Sequence, residues 1–130
     1  MSSTSVPDGY HTVTPYLIVP DAGGLIEFIA WAFGGKERMR MAGGDGSITH
    51  AEVEIGDSVV MLAEASGEHP PKNAMLHLYV SDVDTTYKDA IEAGGESMRE
   101  PEDQPYGDRS AGLEDSWGNE WWLATHIKDA

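Results

Sequence analysis

Cysteine does not occur in this 130-residue chain, which excludes disulfides, zinc-thiolate sites and cysteine nucleophiles and leaves packing alone to hold the fold. Any metal would have to be held by His, Glu or Asp. Basic residues are scarce: eight Lys and Arg stand against 23 Asp and Glu, a formal charge of −15. A field of that sign repels a phosphate backbone and concentrates cations, so nucleic acid is not an expected partner. Long apolar runs are missing too. No stretch approaches the roughly 18 consecutive apolar residues of a membrane span, and the Ser-rich segment Met1–Tyr10 has no apolar core of a leader. A cytoplasmic protein with no membrane partner is the expectation. The 40% hydrophobic content is enough for one core, so residues 1–130 are expected to form a single domain.

What the chain does contain is a repeat, and repeats set architecture. Tyr16-Leu17-Ile18-Val19-Pro20-Asp21 is echoed 61 residues later by His77-Leu78-Tyr79-Val80-Ser81-Asp82. Each block leads into a stretch of helical periodicity: Leu25, Ile26, Ile29, Ala30 and Phe33 in the first, and Val83, Tyr87, Ala90, Ile91 and Ala93 in the second. The two stretches stop at Gly34-Gly35 and Gly94-Gly95, as helices commonly do. Asp21 and Asp82 sit where a side-chain oxygen satisfies free N–H groups at a helix start. Further on, Ala51–Leu62 aligns with Ala111–Ala124 if two residues are inserted before the later turn. Gly56-Asp57 and Asp115–Asn119 are the turns, and short strands near Glu37–Ala42 and Glu96–Arg99 complete each copy. The reading is α+β: two tandem βαβββ modules, residues 13–63 and 75–126, joined by a linker over 64–74 that carries Gly67, Pro70 and Pro71. Their curled mixed sheet is expected to surround a cleft.

Strand alternation separates a helix-facing set from an open-face set. Leu17 and Val19, Leu76, Leu78 and Val80, Ala51, Val53 and Ile55, and Trp121 and Leu123 belong to the core. Val59 and Met61 are assigned to the same side, which leaves Ser58, Val60 and Leu62 open. The open face then carries Tyr16, His50, Glu52, Glu54, Met75, His77, Tyr79 and Trp122. Flat aromatic walls beside a few polar groups are the composition of a ligand site. A homodimer interface uses the same residue types, and the two roles are compatible.

A tandem βαβββ unit of this length resembles the vicinal oxygen chelate superfamily, which joins glyoxalase I, ring-cleaving dioxygenases and bleomycin resistance proteins. Local segments are similar to its PhnB-like branch: Thr14-Pro15-Tyr16-Leu17, Ala32-Phe33-Gly34-Gly35, His50-Ala51-Glu52, Tyr106-Gly107-Asp108-Arg109, and Trp117-Gly118-Asn119 followed by Trp121 to His126. The resemblance implies a glyoxalase/bleomycin resistance fold. It also implies where metal-using members place ligands, early on each opening strand and on each closing strand. Carried over through the repeat, those places are Thr14, Met75, Val60 and Trp122. Hydroxyl, thioether, alkyl and indole groups are poor ligands for a divalent ion, so the expected cofactor is none. A non-standard metal site from His50, Glu52 and His77 is the alternative.

The leading expectation is a metal-independent small-molecule binding protein that sequesters an aromatic or cationic compound, in the manner of antibiotic resistance proteins. Its expected ligand-binding residues are Tyr16, His50, Glu52, Val60, Met75, His77, Tyr79, Tyr106, Arg109 and Trp122. Arg109, in a glycine-flanked loop, either binds a ligand carboxylate or pairs with an acid of its own chain. Two alternatives stand beside this: a lyase or dioxygenase-type enzyme, with His77 and Glu52 as candidate catalytic residues, and a dimeric interaction module. The residues favour binding over catalysis.

Overall fold

A computed structural model describes residues 5–129. In chain order the elements are β1 (Tyr16–Val19), α1 (Ala22–Phe33), β2 (Lys36–Ala42), β3 (Ile48–Ile55), β4 (Ser58–Glu64), β5 (Met75–Tyr79), α2 (Val83–Glu92), β6 (Glu96–Asp103), β7 (Asp108–Glu114) and β8 (Glu120–His126). The fold is α+β, with two four-stranded mixed sheets ordered β1-β4-β3-β2 and β5-β8-β7-β6. In each, the opening strand runs parallel to the closing strand and the other pairs are antiparallel. The sequence repeat is thus a repeat of topology. Two compact units result, one running to Ala30 and from Gly34 to Lys72, the other comprising Trp31–Phe33 and the chain from Asn73. No helix among the described residues is long and apolar enough to cross a membrane.

In the first unit, Leu17, Val19, Leu25, Ile29, Ala51, Val53 and Leu62 are fully buried. Asp21, in a left-handed conformation, caps α1 by accepting from Gly24 N–H. The Glu64 carboxylate takes the N–H groups of Asp21 and Ala22 at 2.6 and 2.9 Å, so the free donors of the helix start meet a negative charge. Lys72, in the segment read as linker, bridges to Ile18 on β1. In the second unit, Ala111, Leu113, Trp121 and Leu123 are fully buried, as are Val83 and Ala90 from α2. An aromatic side chain removes about 150–250 Å² from water. At about 25 cal/mol per Å², Trp121 therefore contributes at most roughly 4–6 kcal/mol. The Phe33 ring lies 4.7 Å from it, centroid to centroid.

The same position after each helix requires glycine for packing. A Cβ on Gly35 would stand 2.6 Å from the Ile29 side chain and 3.0 Å from that of Val53, and one on Gly95 would stand 2.6 Å from Leu113 and 2.9 Å from the Ala90 carbonyl. The turn between β7 and β8 has its own anchor. Buried Asp115 accepts from the backbone N–H of Trp117 and Asn119, from the Asn119 amide and from the Trp121 indole, all within 3.0 Å.

The register corrects one part of the sequence reading. Met61 pairs with Tyr16 and Glu52, whereas Val60 pairs with Val53, so Val59 and Met61 lie on the open face and Val60 and Leu62 on the core face. Val60 is buried. The turns explain the slip: Glu54 pairs with Val59 and Glu114 with Glu120, so the later turn is longer by one residue and not by two. Position 122 therefore corresponds to Met61. Arg109, expected in a loop, lies within β7.

Candidate functional site

Four side chains form a row across the open face of the first sheet, one from each strand. Tyr16 on β1 stands opposite Met61 on β4, Met61 opposite Glu52 on β3, and Glu52 opposite Met39 on β2. His50, two residues from Glu52 on the same strand, joins it: His50 Nε2 lies 2.9 Å from Glu52 Oε2, and the Tyr16 hydroxyl lies 2.9 Å from His50 Nδ1. An ionised carboxylate only accepts, so Nε2 donates its proton to Glu52. Tyr10, from the segment before β1, donates its hydroxyl to the other Glu52 oxygen. The Arg38 guanidinium sits 5.0 Å from the Tyr10 ring centre and 3.8 Å from a Glu54 oxygen.

These contacts set the charge states. Glu52 is 5% exposed, and burial alone would raise its pKa. The hydrogen bond from Tyr10, then that from His50, holds the carboxyl below its ordinary value, while the carboxylate pushes the Tyr10 phenol upward. Tyr10, Thr14, Glu52 and Met61 also line an open pocket of about 310 Å³, to which the N-terminal segment contributes Val6 and Pro7.

The equivalent row of the second sheet has different chemistry. His77 on β5 stands opposite Trp122 on β8, Trp122 opposite Gly112 on β7, and Gly112 opposite Arg99 on β6. The Trp122 indole lies directly on the backbone at Gly112, where a Cβ would fall 2.4–2.7 Å from three ring carbons. The Arg99 guanidinium stacks 5.1 Å from the ring centre, and the indole N–H reaches Glu120 at 3.1 Å. Beside this row the His77 and Tyr79 rings are 5.0 Å apart. The Tyr79 hydroxyl donates to buried Asp108 at 2.9 Å, and His126 Nδ1 meets the other Asp108 oxygen at 2.8 Å. The bond from His126, then that from Tyr79, lowers the Asp108 pKa; Asp108 and then Asp129 raise that of His126.

Each expected site residue can now be placed. Tyr16, His50 and Glu52 come together in the first unit. Met75, His77, Tyr79 and Trp122 share the open face of the second, with Met75 and Tyr79 about two-thirds exposed. Tyr106, in the turn before β7, is exposed, and its phenol adds to the upward push on the Tyr79 pKa. Val60 leaves the face, as its register requires. Arg109 leaves it as well: its register neighbour two residues on, Ala111, belongs to the buried core, and its guanidinium binds Asp84 of α2 and Asp103 of β6, each at 3.0 Å. Tyr10, Arg99, Gly112 and Asp108 were not picked out as site residues. A glycine inside a strand, which marks close approach of another group, was the available signal for Gly112 and its neighbours.

The donor set does not fit the metal that the resemblance implies. With the register corrected, the four places are Thr14, Met61, Met75 and Trp122, none a carboxylate or imidazole. Among the described residues no group of three or more His, Asp or Glu is arranged to hold a metal. Both nitrogens of His50 and both oxygens of Glu52 are bonded within their own unit. Among the described residues the ring nitrogens of His77, on the open face of the second sheet, have no hydrogen-bond partner.

Comparison with known proteins agrees with this architecture. The sequence profile of the Glyoxalase/Bleomycin resistance protein/Dioxygenase superfamily matches residues 10–123. An uncharacterized protein of Mycobacterium bovis is 31% identical over 128 residues, covering 90% of this chain and 84% of that protein. Among solved structures, TioX from Micromonospora sp. ML1 superposes with a TM-score of 0.75 at 23% identity, covering 90% of this chain and 99% of its own. TnmS3, an antibiotic binding protein from Streptomyces sp. CB03234, gives 0.71 at 22% identity, covering 95% and 99%. At these identities the two structures share the fold.

Proposed function

Because the chain belongs to the glyoxalase/bleomycin resistance protein/dioxygenase superfamily, whose members divide between binding and catalysis, we propose that it is a metal-independent binding protein that sequesters a small aromatic compound. One observation carries the reading. His50 and Glu52, the open-face pair best suited to metal ligation or general-base work, spend all four of their ring-nitrogen and carboxylate-oxygen atoms on Tyr16, on Tyr10 and on each other. Metal ligation there would have to break those bonds, which supports reading the pair as part of a binding surface. Exposed Tyr79 and half-buried Trp122 supply flat area for stacking, and the fold shared with antibiotic-binding TnmS3 supports a planar antibiotic as the class of ligand. A cationic ligand is supported only by the overall charge of −15, a long-range effect screened beyond about 8 Å at physiological salt. Placement in the PhnB-like branch rests on the segments quoted above and belongs to the same reading, as does a cytoplasmic location.

Titration with a panel of planar antibiotics, followed by tryptophan fluorescence and calorimetry, tests the proposal. Saturable binding to metal-free protein is expected. No binding by any compound, or a stoichiometric divalent ion lost on His77→Ala, would turn the reading towards an enzyme. A second reading, a homodimer that covers apolar side chains of β2, is favoured by the exposure of Met39 and Met41. Solution mass measurement separates the two.

A further inference from the structure

Arg99 differs from every other arginine of the chain. Arg38 meets Glu54, Arg40 grips Glu37 through two bonds of 2.9 and 2.8 Å, and Arg109 holds Asp84 and Asp103. Among the described residues Arg99 has no carboxylate partner, although the chain has 23 Asp and Glu against eight Lys and Arg. Its guanidinium meets the Trp122 ring and makes one long hydrogen bond, 3.3 Å, from Nη1 to Ser110 Oγ. It is half-buried and stands opposite Gly112 on the open face. A guanidinium offers five N–H donors in a planar fork that matches a carboxylate with two parallel bonds. Here the ring holds the fork in place and most donors have no acceptor among the described residues.

We propose that Arg99 and Trp122 form an anion-receiving subsite, so that the compound bound carries a carboxylate or similarly compact anionic group on an aromatic frame. The frame lies along Trp122, His77 and Tyr79, and the acidic group takes the free edge of the Arg99 fork. This rests on the binding function proposed above and replaces the cationic expectation with its opposite at the point of contact. Long-range repulsion from the acidic surface falls away within a Debye length, whereas the paired, partly desolvated contact persists.

The probes are 2-naphthoate, its neutral amide 2-naphthamide and the cationic 2-naphthamidine, which share one ring system. Calorimetry on the full chain is expected to show 2-naphthoate binding at least about tenfold tighter than the amide. Arg99→Gln should remove that preference, bringing naphthoate affinity to within about twofold of the amide's, and Arg99→Lys, a cation without the fork, should restore part of it. Equal affinity for naphthoate and amide in the unaltered protein, or an undiminished preference in Arg99→Gln with native circular dichroism, would overturn the proposal. Preference for the amidine would sink this inference and leave aromatic binding standing. Failure of all three probes to bind would count against the binding function itself.

Discussion

Replacing Gly112 by Ala is a small perturbation with a calculable consequence. The added Cβ would stand 2.4, 2.5 and 2.7 Å from three carbons of the Trp122 six-membered ring. Carbon atoms rest at about 3.5–4.0 Å, so the indole must retreat by more than about 1 Å. It would then leave both the Gly112 backbone and the Arg99 guanidinium. Gly112 is not among the glycines with positive φ, so no backbone strain accompanies the change, and alanine by itself would cost nothing in a strand. The penalty is overpacking, about 1–3 kcal/mol. With a urea m-value of about 1–3 kcal/mol per M, the unfolding midpoint should fall by roughly 0.3–3 M. A double-mutant cycle locates the effect: in a Trp122→Ala background the same Gly112→Ala change should cost less than about 0.5 kcal/mol, since the ring it displaces is gone. Equal losses in both backgrounds would show that the contact between ring and strand is not what requires glycine.

Other expectations follow from the same geometry. Glu52 has a folded-state pKa below its ordinary 4.5, so its ionisation adds stability above that pH, and the contribution is lost as pH falls through the depressed value. Tyr10→Phe removes the largest cause, so the Glu52 carboxyl, followed by NMR, should titrate at higher pH and acid unfolding should begin earlier; an unmoved titration would refute this. His126 is shifted the other way, and its stabilisation holds below the ordinary 6.5 and fades as pH rises through the raised value. In Asp108→Asn the imidazole should titrate closer to 6.5 in an NMR experiment. Arg109→Met breaks two partly exposed ion pairs, and should cost no more than about 1 kcal/mol in urea unfolding while leaving naphthoate affinity unchanged. A large loss of binding would return Arg109 to the ligand site.

Much of the fold was legible because the chain states it twice. The pair of opening strands, the two capping aspartates and the paired glycines were each visible in one copy and checked by the other. The face of β3 could be read because polar and apolar residues alternate there, and that of β5 because His77 stands between Leu76 and Leu78. The face of β4 could not: Val59-Val60-Met61-Leu62 is apolar throughout, so alternation is silent, and only the turn length, one residue shorter than its counterpart, decides which side Met61 takes. Tyr10 was invisible for another reason. It precedes the first strand in a segment with no periodicity, and it reaches Glu52 across 42 positions. Arg99 looked like one more charge on a polar strand. Its meaning depends on the absence of a carboxylate beside it, which no pattern along the chain records.

The hydrogen-bonded chain Tyr16–His50–Glu52–Tyr10 bears on how fast and how selectively a ligand would be met. Side chains already locked by mutual hydrogen bonds lose little rotamer freedom when a compound arrives, so the ordering penalty of association is small on that face. Such a surface cannot reshape itself around different visitors. Related compounds would then associate at similar rates and differ mainly in how long they stay, so residence time, measured by stopped-flow dissociation, would rank candidate ligands of this protein better than encounter rate.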